Sequence, residues 1–244
     1  MLDYDTEAVG YDVTRGGVPR ARAAAAAVLR LLPDEAGTLL DVGCGTGLVS
    51  ERIVRPGLRV TGADVSSGMA RMAADRLSGG VVLADSRRLP FRTASLDAVC
   101  AVWLLHLVAQ AEAVIAECAR VLRPGGVFIA TVDKDAGHDV GSDIDELFAP
   151  FRTRQAFDEG ELVLAHGARH GLRADAETSF VGHGQGRSPR AAADGIGRGV
   201  FPSALELDPG MAARLSADLA ALPDQHTPRP DPVYRLLALR RVTW

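Results

Sequence analysis

Three glycines at alternate positions follow a short apolar segment that ends in an aspartate. The four residues are Asp41, Gly43, Gly45 and Gly47. Glycine lets the chain turn sharply at a strand end and lets a ligand lie against the backbone. A dinucleotide-binding loop places its third glycine one position later, where this sequence has Leu48. The spacing therefore favours a ligand pocket other than a nicotinamide site, and NADH binding is the test of that alternative.

Carboxylates also end the next two apolar segments. Residues 59–64 and 81–85 each have the composition of a short strand, and they end in Asp64 and Asp85. The carboxyl ends of parallel strands meet at one edge of a sheet, where open α/β folds bind ligands. Either aspartate alone would more often be a strand-end or loop residue. Together with the glycine loop they predict one pocket, in which a carboxylate accepts the hydroxyl protons of a ribose.

The order of these motifs resembles that of class I S-adenosylmethionine-dependent methyltransferases. Residues 95–106 resemble the family's fourth-strand motif, and residues 120–128 resemble its helix–turn–strand signature. The resemblance extends over residues 39–130 and points to the type 11-like branch, which methylates small molecules. It implies an α/β fold, a doubly wound and mostly parallel seven-stranded sheet of Rossmann-like type with a small helical cap. It also implies a last strand antiparallel beside the fifth, and S-adenosyl-L-methionine as cofactor.

The resemblance further implies which residues bind the donor. Asp64 would hold the ribose, and Met69 would pack on the adenine face. Asp85 and the Ser86 N–H would bind the adenine edge, and Val102 would contribute only its backbone carbonyl. The implied donor-binding set is Tyr11, Arg15, Asp41, Gly43, Cys44, Gly45, Gly47, Asp64, Val65, Met69, Asp85, Ser86 and Val102.

A Tyr-Asp-x-x-Arg segment precedes the first predicted helix and looks like the family's mobile lid. Its Tyr11 and Arg15 would contact the sulfonium or the carboxylate of the donor through cation–π and ion-pair interactions. The alternative is a disordered leader, since chain termini often fray.

Methyl transfer from a sulfonium is an in-line displacement, so the protein must align the reactants and exclude water. A base is needed only when the nucleophile arrives protonated. His106, after the fourth strand, is the leading candidate for that base, and a structural role is the alternative. Trp103 would either stack on an aromatic acceptor or pack in the core. The predicted acceptor-site residues are Trp103, His106, Asp133 and His138, with Asp135 as a further weak candidate for the base.

Alternation of short β-rich segments with helical ones predicts the elements that position these residues. Helices are expected over 20–32, 109–122, 158–170 and near 208–222, and another is expected to open at Leu48. The later strands are expected at 127–132, 178–183 and 233–242. We expect one domain in four parts: a lid and first helix (1–35), a cofactor-binding half (36–132), acceptor-site elements (133–232) and a closing strand (233–244).

Composition agrees with this interpretation. The chain has 244 residues, 47% of them hydrophobic, which is enough for one sizeable core. A net charge of −4 without a basic cluster disfavours nucleic acid as a partner. There is no long apolar run or secretory start, so a cytoplasmic protein without a membrane partner is expected. The 26 arginines against one lysine indicate a GC-rich bacterial genome, and the three cysteines have neither metal-ligand nor disulfide spacing.

The sequence thus predicts a methyltransferase for an O, N or C nucleophile of a small molecule in specialised metabolism, as a monomer or homodimer without a metal. A methyltransferase-fold protein with a non-methylating reaction, or with a partner-subunit role, is the alternative, because fold does not fix function.

Overall fold

A computed structural model describes residues 10–152, 156–199 and 205–242. One sheet of seven strands has the order β3-β2-β1-β4-β5-β7-β6. The strands are β1 Thr38–Val42, β2 Arg59–Asp64, β3 Val81–Leu83, β4 Leu96–Ala101, β5 Leu122–Val132, β6 Leu172–Val181 and β7 Val233–Arg241. All neighbours pair in parallel except β7, which is antiparallel to both β5 and β6. The predicted doubly wound, mostly parallel sheet with an antiparallel last strand is therefore confirmed.

The main helices of the described residues are α1 Gly17–Leu31, α2 Ser67–Arg76, α3 Ala111–Val121, α4 Asp143–Phe148, α5 Gly160–Arg169, α6 Pro189–Gly197 and α7 Pro209–Ala221. Of these, α1 packs on one face of the sheet, and α3 and α5 pack on the other. Successive strand residues alternate between two apolar clusters, so that Leu40 and Phe128 contribute to the α3 and α5 side while Leu39 and Ile129 contribute to the α1 side. Central strands are continuously apolar because both of their faces are buried.

Three elements, α4, α6 and α7, form a small helical cap with an apolar cluster of its own. Ile144, Phe148, Ile196, Leu215 and Leu219 are buried within that cluster. Helix α4 begins in a capping box, in which the side chain of the N-cap serine and that of the third helical residue, an aspartate, each accept a backbone N–H. The cap therefore has a separate core from the sheet.

Several boundaries differ from the sequence predictions. The strand expected at 178–183 is β6, Leu172–Val181, and it is the edge strand, whose exposed residues hide the apolar pattern. Helix α1 begins three residues before its predicted start, and β5 pairs with β4 from Leu122 rather than from residue 127. Helices α4 and α6 were not predicted, because short cap helices carry few periodic residues.

The prediction of a helix that opens at Leu48 is wrong. Residues 43–49 form turns, and only a single 3-10 turn, Ser50–Arg52, follows before β2. All three loop glycines have positive φ angles of 55° to 76°, which a right-handed helix cannot use. The ligand-facing part of this connection is therefore an open loop rather than a helix N-terminus.

The side chain of Asp97 joins the start of β1 to the start of β4. Its Oδ2 accepts hydrogen bonds from the Gly37 N–H at 3.1 Å and from the N–H and hydroxyl of Thr38 at 3.0 and 2.8 Å. The guanidinium of Arg123 donates to Oδ1 at 2.6 Å. Burial raises the pKa of Asp97, but the hydrogen bonds from Thr38 and Gly37 and the charge of Arg123 outweigh it, and the net pKa is lowered.

We expect Asp97→Ala to lower the free energy of unfolding by about 1–3 kcal/mol, because the donors on Gly37, Thr38 and Arg123 all lose their acceptor. The contribution of Asp97 is present at neutral pH and is lost as pH falls through its lowered pKa. Urea unfolding at pH 7 measures the change, and Asp75→Ala, which alters an exposed position on α2, should stay within about 0.5 kcal/mol of the parent. Equal losses in the two variants would refute a structural role for the Asp97 carboxylate.

Candidate functional site

A cavity of about 700 Å³ opens at the carboxyl ends of β1, β2 and β4. The order of strands along the chain reverses between β1 and β4, which is where doubly wound sheets bind ligands. The cavity has the volume of a typical small-ligand site. All predicted donor-binding residues except Gly47 line it, namely Tyr11, Arg15, Asp41, Gly43, Cys44, Gly45, Asp64, Val65, Met69, Asp85, Ser86 and Val102.

The glycine loop is anchored to the second strand. The N–H groups of Gly43 and Cys44 both donate to the carbonyl of Ala63, at 2.7 and 3.1 Å. A Cβ at Gly45 would meet nothing within 4 Å, so this residue presents bare backbone to the cavity. A Cβ at Gly47 would lie 3.0 Å from the Cα and Cβ of Ala73 on α2. The loop therefore has one glycine that faces the ligand space and another that allows a helix to approach.

Asp64 lies at the end of β2 and is held on both of its oxygens. Its Oδ2 accepts from the Gly45 N–H at 2.8 Å, and its Oδ1 accepts from the Ser66 N–H at 2.9 Å. Each carboxylate oxygen can accept a second hydrogen bond. The side chain is thus oriented by the backbone while it retains capacity for two ligand hydroxyls.

Asp41 lines the cavity but is itself buried beneath the loop. Its Oδ2 accepts from the Ser50 hydroxyl at 2.5 Å, and its Oδ1 accepts from the Cys100 thiol at 3.4 Å. Burial raises the pKa of Asp41 to about 6, despite the hydrogen bonds from Ser50 and Cys100 that favour the charged form. The carboxyl group therefore holds the loop in place, and both of its oxygens already accept hydrogen bonds from the protein.

Asp85 is paired with a neighbour that the sequence prediction missed. Arg87 forms a 2.7 Å ion pair with Oδ2, and its N–H donates to Oδ1 at 2.8 Å. Hydrogen bonds from Arg87 lower the pKa of Asp85. The Nη1 of the same guanidinium donates to the Oε1 of Gln110 at 2.6 Å, and both residues line the cavity. Arg87 and Gln110 thus form one rim of the cavity beside Asp85.

Residues 10–16 of the predicted lid cover the glycine loop. Asp12, also missed, accepts from the Thr46 hydroxyl at 2.6 Å and forms a 2.7 Å ion pair with Arg76. The Arg15 guanidinium lies 5.7 Å from the centre of the Tyr11 ring, and both side chains line the cavity. Residues 1–9 of the predicted lid lie outside the described residues.

The predicted acceptor residues do not share one surface. Trp103 lines the large cavity, whereas His138 lines a separate small one. His106 lines neither, and burial lowers its pKa to about 3 with help from Lys134, so its imidazole is neutral at pH 7. Asp133 lines neither cavity and instead accepts from the Gly160 N–H at 2.9 Å and pairs with Arg235 at 3.1 Å.

One further cavity residue, Arg20, gave no signal in the sequence. It is one of two arginines, with Arg22, at the start of an Ala-rich helix, and such positions are usually solvated. In the structure it is buried against Trp103 and lines the cavity. Its position follows only from the fold, in which α1 packs against the sheet and brings Arg20 next to Trp103.

Residues 40–130 match the family profile described as a methyltransferase domain. A ubiquinone biosynthesis O-methyltransferase of Xanthomonas oryzae pv. oryzae is 38% identical over 108 residues, which cover 39% of this chain and 43% of that protein. The chain spans less than half the length of the first curated relatives that it matches, from 31% to 46%.

Two solved structures share the fold over most of their length. The 4+2 cyclase SpnF has a TM-score of 0.64 at 23% identity, over 99% of this chain and 94% of that chain. Geranyl diphosphate C-methyltransferase from Streptomyces coelicolor, solved with Mg²⁺, geranyl diphosphate and S-adenosyl-L-homocysteine, has a TM-score of 0.52 at 18% identity, over 90% and 79% of the two chains.

The two loop glycines predict different responses to an added methyl group. Gly45→Ala should cost about 1 kcal/mol of unfolding free energy, from the strain of a positive φ at an alanine. Gly47→Ala should cost about 1–3 kcal/mol more, because its Cβ also presses on Ala73. Denaturant unfolding of both variants, each the control of the other, measures the difference. Equal destabilisation would contradict the packing role of Gly47.

Proposed function

We propose that this chain, whose residues 40–130 match the methyltransferase-domain profile, transfers a methyl group from S-adenosyl-L-methionine to a small molecule. The observation that carries the proposal is the arrangement of Asp64 beside the bare backbone of Gly45. An oriented carboxylate with free acceptor capacity, next to a loop without a side chain, suits a ribose with its base.

The remaining cavity wall supports the same donor. Met69 is buried at the cavity, where its thioether would pack against an adenine face. Tyr11 offers an aromatic ring for the sulfonium, and Arg15 offers a guanidinium for the donor carboxylate. In this proposal the Asp85 carboxylate and the Ser86 N–H hold the adenine edge, with Arg87 beside them.

The chain's own contribution to the reaction is alignment and exclusion of water. The bond between the methyl carbon and sulfur breaks as the bond between that carbon and the acceptor forms. The sulfur, the methyl carbon and the acceptor's nucleophilic atom must therefore lie in line. Asp12, through Thr46 and Arg76, ties the segment over the glycine loop and thereby closes one side of the cavity. Trp103 and the leucines beside it supply an apolar wall on the acceptor side.

Several finer points are also proposals. The name of the ubiquinone relative supports a small acceptor with an oxygen nucleophile, while the geranyl diphosphate enzyme supports a carbon one. We propose a role in specialised metabolism, in a bacterial cytoplasm, by a monomer or homodimer that acts on neither nucleic acid nor membrane. Within the described residues, no helix has the length and hydropathy needed to cross a bilayer.

A second candidate is a non-methylating reaction on the same fold. The cyclase SpnF, which aligns with nearly the whole chain, is named for a different reaction. Consumption of the donor separates the two candidates. Labelled methyl groups pass to product in a transferase, whereas a non-methylating enzyme binds the donor and returns it unchanged.

We expect Asp64→Ala to weaken the binding of S-adenosylhomocysteine by more than about tenfold, because the hydrogen bonds to the ribose hydroxyls are lost. Calorimetric titration of the purified chain measures the affinity, and Asp75→Ala is the control. Wild-type affinity in the Asp64 variant would refute the ribose assignment. If the parent binds neither the donor nor its demethylated product, the proposed function is wrong.

His106 remains the predicted base for acceptors that arrive protonated. Its imidazole is neutral at pH 7, burial holds its pKa at about 3, and it does not line the cavity. His106→Asn should lower kcat by about tenfold or more, the lower part of the usual range for a positioned base. The affinity for S-adenosylhomocysteine should not change. Unchanged turnover would assign His106 a structural role.

A further inference from the structure

Among the described residues, Arg20 and Arg187 lack the acidic partner that most of the partly buried arginines have. Arg20 is only 8% exposed and lines the large cavity, and Arg187, half-buried, lines the small one. Across the described ranges, neither guanidinium has a carboxylate within the 4.0 Å ion-pair distance. By contrast, Arg76 pairs with Asp12 at 2.7 Å, and comparable pairs hold Arg120 and Arg229.

Aromatic rings surround Arg20 without neutralising its charge. Its guanidinium lies 3.4 Å from the centre of the Trp103 ring and 5.7 Å from that of Tyr234. One nitrogen donates to the carbonyl of Arg15 at 3.0 Å. The Nε of Arg20 and the Nε1 of Trp103 are both buried without a hydrogen-bond acceptor. The donors here exceed the acceptors that the described protein provides.

A line of contacts connects Arg20 to Arg187. The Tyr234 hydroxyl lies 3.0 Å from Nε2 of His138, and Nδ1 of His138 lies 3.4 Å from Arg187. We call Arg20, Trp103, Tyr234, His138 and Arg187 the cationic cluster. It joins α1, the end of β4, β7 and the loop before α6, so the sheet and the cap both contribute to it.

Charges of both signs surround the cationic cluster, but among the described residues no carboxylate lies within ion-pair distance of its two arginines. Burial, together with the charges of Arg187 and Lys134, lowers the pKa of His138 to about 2, so the imidazole is neutral at pH 7. The two acids that act on Arg187 from further away have cations of their own, Asp135 pairing with Lys134 at 2.8 Å and Asp145 with Arg152 at 3.4 Å. A buried charge without a partner costs several kcal/mol, and such sites are typical of ligand binding.

We infer that the methyl acceptor binds as an anion, with a carboxylate or similar oxyanion on Arg20 and with Arg187 adding positive potential through His138. The inference rests on the proposed function and assigns the class of its substrate. The donor uses Arg15 for its own carboxylate, which leaves Arg20, beside Trp103, for the acceptor. An aromatic acid suits the cationic cluster best, because the ring packs on Trp103 while the acid meets the guanidinium.

The test is calorimetric titration of the full chain, saturated with S-adenosylhomocysteine, with hydroxybenzoates and hydroxycinnamates and with their neutral primary amides. We expect at least one acid to bind about tenfold or more tightly than its amide. Arg20→Met should abolish that preference, and Arg20→Lys, which keeps the charge, should retain part of it. Arg240→Met is the matched control, since Arg240 pairs with Asp175 on the sheet and lines neither cavity.

Three outcomes would overturn the inference. Amides that bind as well as their acids, or binding of none of the acids to a chain that does bind S-adenosylhomocysteine, would exclude an anionic acceptor of this class. A preference that survives in a folded Arg20→Met variant would exclude Arg20. Weaker S-adenosylhomocysteine binding in Arg20→Met, with unchanged binding of 5′-methylthioadenosine, would assign Arg20 to the donor carboxylate. Failure of the parent chain to bind S-adenosylhomocysteine would instead refute the proposed function.

Discussion

The reversal of the backbone at the end of β1 is the constraint on which the rest of the site depends. Within a few residues the chain must leave the sheet, expose N–H groups and keep room for a ligand. The N–H groups of Gly43 and Cys44 meet this demand by donating to the carbonyl of Ala63, and Gly45 donates to Asp64. Positive φ angles at the glycines make these bonds geometrically possible. The second strand and its carboxylate are thereby tied to the first.

Because no helix follows this loop, its outer surface needs another cover. The residues before α1 provide it, and Asp12 connects the Thr46 hydroxyl to the Arg76 guanidinium. The carboxylate of Asp12 thus comes from a part of the chain that is distant in sequence from the loop it covers. The open glycine loop and the N-terminal segment that covers it both follow from the lack of a long helix in the connection between β1 and β2, residues 43–58.

The sequence was sufficient for the fold and for the edge of the sheet at which the predicted donor residues meet, because both depend on local rules. Continuous apolar strands, alternate glycines and strand-end acids can be recognised in the sequence, and they correctly indicate a mostly parallel sheet and the edge at which the cavity opens. The β6 boundary was wrong because an exposed edge strand has few apolar residues. The sequence analysis missed Arg20, Asp12 and Arg87. Asp12 and Arg87 contact residues that are distant in sequence, and Arg20 is buried, and no periodic pattern in the sequence reports such contacts or such burial. His106 shows the converse, since its position after β4 was visible but its distance from the cavity wall was not.

The two halves of the molecule also differ in how freely their residues can change. The predicted donor residues lie largely at strand ends, whose positions are fixed by the two large apolar clusters of the sheet. The cap has a separate apolar cluster, attached through contacts such as Arg229 with Asp143 and Arg187 with His138. Substitutions in the cap should therefore put little strain on the sheet. Such a division agrees with a family match that ends at residue 130, before the cap begins.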